Sequence, residues 1–145
     1  MKKNNKKIKT AVILCGGKGT RLGLLGKKIP KSLIKVQNYP IIWFIIKILK
    51  RNSFNHFIIP LGYKGNAIKK YLKSCDDFKN LNIETVNTGI NTSIARRIYK
   101  IKDKIKSNDF ILLNGDAILD FNIKKIFVEH IKKKIAITFL GCEAQ

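Results

Sequence analysis

The run Ala11-Val12-Ile13-Leu14, cut off by Cys15-Gly16-Gly17-Lys18-Gly19, constrains this chain more than any other stretch. An unbroken apolar run stopped by paired glycines reads as a strand buried on both faces of a parallel sheet, its carboxyl end opening into a loop. Open α/β sheets place their ligands at such carboxyl ends. Gly16, Gly17 and Gly19 let backbone N–H groups approach an anion closely, and Lys18, Arg21 and Lys31 add positive charge nearby. The guest this predicts is an oligophosphate.

Two familiar phosphate loops do not fit the letters. A Walker A loop needs Gly-Lys-Ser/Thr where this chain has Gly19-Thr20-Arg21, and a dinucleotide fingerprint needs a third glycine where it has Leu22. A third pattern does fit. Gly16-Gly17-Lys18-Gly19-Thr20-Arg21-Leu22, followed by Pro30-Lys31-Ser32-Leu33, resembles the two-part signature of the sugar-phosphate nucleotidylyltransferases.

Further along, Leu24 to Ile29 reads as an irregular, lysine-bearing segment, and Leu33 to Val36 as a small strand turned by Asn38-Tyr39. Pro40 stands at a first helical position, and Ile41, Ile42, Phe44, Ile45, Ile48 and Leu49 cover almost every face of the helix it opens. Trp43, inside that apolar helix, reads as core rather than as a stacking platform. Phe54 to Leu61 predicts a second strand with Pro60 near its end, and Ile68, Tyr71 and Leu72 mark the next helix. Asn82 to Val86 predicts a third strand, and Ile94, Ile98, Ile101 and Ile105 a helix from about Asn91 to Ile105. Arg96 and Arg97 on that helix suit either phosphate or water.

Phe110-Ile111-Leu112-Leu113 predicts a fourth strand that runs into Asn114-Gly115-Asp116. A lone Gly-Asp after a strand is commonly just a turn, but beside a phosphate loop the carboxylate can hold Mg²⁺ against phosphate oxygens. Asp120 lies four residues on, and Asn122 caps a helix whose apolar side carries Ile123, Ile126, Phe127 and a structural His130. Ile135 to Leu140 predicts a fifth strand.

Together with Pro40-Ile41-Ile42-Trp43, Gly62-Tyr63-Lys64-Gly65, Val86-Asn87-Thr88-Gly89 and Asn114-Gly115-Asp116, the signature looks most like the glucose-1-phosphate cytidylyltransferase branch. The resemblance implies an α/β fold: a Rossmann-like open, mostly parallel sheet with helices on both faces, of the glycosyltransferase-A-like nucleotide-diphospho-sugar transferase type. It implies attack of a sugar 1-phosphate on the α-phosphorus of a nucleoside triphosphate, with Mg²⁺ as cofactor and pyrophosphate as leaving group. CTP and glucose 1-phosphate are the substrates the branch suggests. Carried over, Arg21 and Lys31 are catalytic, Leu14, Gly16, Gly17, Gly19, Thr20, Thr88, Gly89 and Gly115 bind the nucleotide, and Asp116 binds the metal. Two departures leave the base open: Ile90 replaces an aspartate after Thr88-Gly89, and Ile94-Ala95-Arg96-Arg97-Ile98 stands where the branch has Thr-Gly-Gly-Arg-Leu. Cys15 replaces the usual alanine, which predicts a thiol open to alkylation.

Family members are substantially longer. Residues 1–9 therefore read as a basic arm and 10–145 as the nucleotide-binding part of a truncated domain, without its sugar-binding part and second metal-binding aspartate. An inactive, nucleotide-binding module is the alternative reading. The formal charge of +21, from 30 Lys and Arg against 9 Asp and Glu, raises nucleic acid as a partner. That partner is disfavoured, because the lysines are spread along the chain and aromatic-rich RNA motifs are missing. Three cysteines without zinc spacing suit a reducing cytoplasm. No run reaches the ~20 apolar residues of a membrane span, and a homo-oligomer is compatible with the pattern.

Overall fold

A computed structural model describes residues 9–19, 23–118 and 121–141. Thr20, Arg21, Asp120, Cys142 and the basic arm up to residue 8 lie outside the described residues. The elements in order are β1 (Thr10–Leu14), α1 (Gly23–Lys28), a 3-10 turn (Lys31–Leu33), β2 (Lys35–Val36), β3 (Tyr39–Pro40), α2 (Ile41–Arg51), β4 (His56–Leu61), α3 (Gly65–Ser74), β5 (Asn82–Asn87), α4 (Ile94–Ile101), β6 (Phe110–Asn114) and α5 (Ile123–Lys133).

Four strands form one parallel sheet in the order β5-β4-β1-β6, and β2 and β3 make a separate two-residue ladder. The unbroken apolar runs of β1 and β4 follow from cover on both faces. On one face Ala11, Ile13, Phe57 and Ile59 pack against Ile42, Ile46 and Leu49 of α2, Ile68 of α3 and Ile123 of α5. On the other, Val12 and Ile58 meet Ile101 of α4. β6 is covered on one side only: Ile111 and Leu113 join the larger core, while Phe110 and Leu112 are exposed. Pro60 sits one residue from the end of β4, where its missing N–H costs little of the ladder.

Four sequence expectations are corrected. Leu24 to Lys28 is helical: Leu24, Leu25, Lys27 and Lys28 are good helix formers, and a six-residue helix forms despite Gly26 within it. α4 starts at Ile94, since Ser93 caps it by accepting from the Arg96 amide at 3.4 Å, and its last turn tightens to a 3-10 helix over Lys102–Lys104. Pro40 precedes α2 as its cap instead of occupying its first turn. Residues 135–140 form no strand: Ile137 and Phe139 are 65% and 86% exposed, and no described strand lies alongside to complete a ladder. Strand propensity alone supplies no hydrogen-bonding partner.

Trp43 is partly buried against the core, stacks on Tyr39 at 4.1 Å and donates its indole N–H to Asp77 at 2.7 Å. His130 lies 2.9 Å from the Thr138 hydroxyl, which agrees with a structural role.

Across β4 and β5, His56 Nε2 lies 2.8 Å from Glu84, whose other oxygen accepts from Lys104 at 2.9 Å. The Lys104 hydrogen bond, and then that of His56, hold the Glu84 carboxyl below its ordinary value of 4.5. A carboxyl whose pKa falls on folding stabilises the protein above the unfolded value and loses that contribution as pH drops through the folded one. The advantage in melting temperature of the native protein over Glu84→Gln should therefore shrink between about pH 6 and about pH 3. A difference that stays constant over that range would remove Glu84 from the acid response.

Candidate active site

The chain builds β1, moves outward to β4 and β5, then returns to the opposite side of β1 with β6. A crevice opens at the carboxyl ends of these neighbouring strands, lined by the loops that follow β1 and β6. Leu14 stands opposite Asn114, and the Gly115 amide donates to the Leu14 carbonyl at 2.9 Å. The glycine loop and Asn114-Gly115-Asp116 thus leave the sheet side by side. Lys31 joins them from the second part of the signature: its stem lies where a side chain on Gly19 would press at 3.2 Å, and its Nζ is 3.4 Å from Asp116 Oδ2.

These segments line a cleft of about 480 Å³. Lys18, Lys31 and Arg97 border it, against Asp116 as the carboxylate, while Ile90 and Ile94 give one wall an apolar surface. Cation excess inside a concave site favours an anionic ligand. A second cavity, of about 510 Å³, lies at the opposite end of the sheet between Lys9, Phe54 and Phe127 and contains none of the motif residues.

The individual glycines have distinct reasons to be glycine. Gly17 faces open space, as a ligand-facing position requires, and Gly19 needs its φ of +65°. Gly16 is different: a Cβ there would overlap the Arg97 guanidinium, and one on Gly115 would overlap Cys15 Sγ.

Leu14 lines the cleft at its floor. Thr88 does not reach it. Thr88 is fully buried, and its hydroxyl donates to the Leu61 carbonyl at 2.7 Å and accepts from Arg97, so in this structure its contacts are with the frame of the cleft. Gly89 bends the same loop at φ +96°, with its amide held by Asn87 at 3.1 Å, and lies outside the lining.

Cys15 is buried beneath the loop, which corrects the expectation of a reactive thiol. Desolvation pushes its pKa up to about 12, against a smaller opposing effect of Ser32, so the neutral thiol persists at physiological pH. Iodoacetamide at about pH 8 should leave the Cys15 peptide unmodified in the native protein and label it only after denaturation. Native labelling of Cys15 at the rate of the more exposed Cys75 would contradict this burial.

Arg97 is the residue that sequence reasoning left undecided. It lies 5% exposed beneath the loops, at the border of the cleft. Its spacing held the signal, since it precedes Ile101 by four residues and so shares the buried stripe of α4.

Among the described residues, no cluster of three or more metal-ligating side chains is present, and no helix is long and apolar enough to cross a membrane. Asp116 alone fits a Mg²⁺ ion that arrives with phosphate, because this ion keeps most of its waters and takes few protein carboxylates.

Sheet order, crevice and motif together define an α/β nucleotide-diphospho-sugar transferase fold. The crystal structure of HddC from Yersinia pseudotuberculosis superimposes with a TM-score of 0.74 at 25% identity, over 86% of this chain and 55% of that one. A UDP-glucose pyrophosphorylase solved with UDP-glucose shares the fold at a TM-score of 0.74 and 16% identity, over 88% of this chain and 55% of that one. The chain belongs to the nucleotidyl transferase family, whose pattern matches residues 10–144. It is 36% identical over 152 residues to a probable glucose-1-phosphate cytidylyltransferase of Bacillus subtilis, spanning 92% of this chain and 60% of that protein. It is 32% identical to a D-glycero-alpha-D-manno-heptose 1-phosphate guanylyltransferase of Campylobacter jejuni, spanning 88% of this chain and 56% of that protein. The chain thus spans little more than half the length of these relatives.

Proposed function

We propose that this protein transfers a nucleotidyl group from a nucleoside triphosphate to a sugar 1-phosphate, releasing pyrophosphate. One observation carries the reading: Lys31 Nζ lies 3.4 Å from Asp116 in the crevice beside the glycine loop, so the separate pieces of the motif meet in one place. Residues 10–145 serve as the nucleotide-binding part of the domain, and the sugar pocket belongs to the portion of the relatives that this chain does not span.

Backbone amides of the Gly16-Gly17-Gly19 loop cradle the phosphates, Lys31 contacts them, and Arg21 neutralises charge on the α-phosphate and departing pyrophosphate. Asp116 holds Mg²⁺, which when bound neutralises charge on the phosphate oxygens. With a cation held at Asp116, Lys31 would be released from its carboxylate partner and could contact phosphate. Ile90 and Ile94 offer the base an apolar wall. CTP and glucose 1-phosphate are the first substrates to try, and GTP follows, because relatives of both kinds match this chain. Cytoplasmic nucleotide-sugar synthesis for polysaccharides is the setting that such a product suits.

The test is pyrophosphate release from each nucleoside triphosphate with a panel of sugar 1-phosphates and Mg²⁺. Release with one pair supports the reading, and silence from the full-length protein with every pair overturns it. A second reading, nucleotide binding without turnover, predicts binding with no release in any combination.

A further inference from the structure

Arg97 is buried without an acidic partner: among the described residues no carboxylate lies within ion-pair distance of it. Isolating a cation from water costs several kcal/mol unless oxygens replace its hydration. Here they come from three separate strand ends. The guanidinium donates to the Gly16 carbonyl after β1 at 3.1 Å, to the Leu61 carbonyl closing β4 at 3.2 Å, and to the Ile90 carbonyl after β5 at 3.2 Å. It also donates to the Thr88 hydroxyl. A Cβ on Gly62 would come within 2.9 Å of two of its nitrogens, so two glycines of different loops make room for one side chain.

The arrangement has a directional consequence. In a trans peptide the C=O and the following N–H point opposite ways. The Gly16 carbonyl, held by Arg97 at 3.1 Å and more loosely by the Tyr63 amide at 3.4 Å, therefore turns the Gly17 N–H away from the guanidinium, toward the exposed side of the loop. No described residue accepts a hydrogen bond from that N–H. Carbonyls and a hydroxyl leave the charge on Arg97 uncancelled, directly under the loop.

We infer that Arg97 is the positioning residue of this cleft: it locks the glycine loop with its amides outward and places a net positive charge beneath the bound triphosphate. The inference rests on the nucleotide-binding reading of the cleft and adds to it the residue that shapes the glycine loop from beneath. Its lowered pKa, caused by burial, still leaves the guanidinium charged at neutral pH.

Calorimetry with inorganic tripolyphosphate on the full chain provides the test, with thermal melting as a check of folding. Arg97→Met should bind about tenfold more weakly than the native protein. Arg97→Lys, which keeps charge but not the planar fork, should fall between them. Arg97→Ala should regain affinity when guanidinium is added at millimolar concentration, a rescue that a merely structural role would not give. Should the Arg97 variants not fold, Thr88→Val removes one acceptor with almost no change of shape, and about a twofold to fivefold loss is expected. Folded variants binding as tightly as the native protein, or no rescue by guanidinium, would overturn the inference alone. Absence of tripolyphosphate binding by the native protein would overturn the reading of the cleft itself.

Discussion

On the proposed transferase reading, Asp116→Ala is expected to cut pyrophosphate release by about a hundredfold or more at saturating substrates. Its melting temperature should stay within about 2 °C of the native value. The separation of the two effects follows from where the residue sits. Asp116 stands just beyond the end of β6 with its side chain 39% exposed, and its structural partner is the half-exposed Lys31. Such a pair is worth only about 0.2–1 kcal/mol to folding. A cation that Asp116 would hold against phosphate, in contrast, would lose an anchor that water does not reproduce in position. Asp116→Asn keeps the shape and removes the charge, so it should lose nearly as much rate. Turnover within about threefold of native for either variant would remove Asp116 from the metal-holding role.

The second large effect is on stability. Phe57→Ala should destabilise the fold by about 3–5 kcal/mol, measured as a shift of the urea midpoint at unchanged slope. Phe57 is fully buried near the start of β4, paired with Ala11 of β1 and Ile83 of β5, so its removal opens a cavity that three strands cannot collapse into without breaking register. For a domain stable by about 5–15 kcal/mol this is a large fraction of the whole. Phe139→Ser, at a site 86% exposed, supplies the comparison and should change stability by less than about 0.5 kcal/mol. A Phe57→Ala midpoint near that of Phe139→Ser would mean that the parallel sheet is not the core of the folded state.

Much of the sheet was legible because its signals are local. A run such as Ala11-Val12-Ile13-Leu14 or Phe57-Ile58-Ile59 is apolar at every position only where both faces are covered, and the structure covers both. Gly16-Gly17-Lys18-Gly19 announced a loop for an anion, and the crevice duly opens there. The fifth strand failed for the complementary reason. Ile135 to Leu140 has the composition of a strand, but a ladder is a property of two segments, and none of the described strands meets it.

Within the site the same division holds. Lys31 and Asp116 were named from a pattern, while their 3.4 Å approach depends on the register between β1 and β6. Thr88 was picked for its place beside Gly89, yet its hydroxyl turned out to face Arg97 and Leu61. Arg97 itself was undecided because a charged residue on an amphipathic helix usually faces solvent.

By itself the sequence determined the alternation of apolar runs and helices, the glycine loop, and the carboxylate that follows the last strand, since periodicity and glycine content act over a few residues. Only the tertiary structure decided which carbonyls would receive Arg97, 81 residues from Gly16, and which of the predicted strands would find a neighbour. Hydrogen bonds across such separations form only after the sheet order has been set, and no local pattern encodes them.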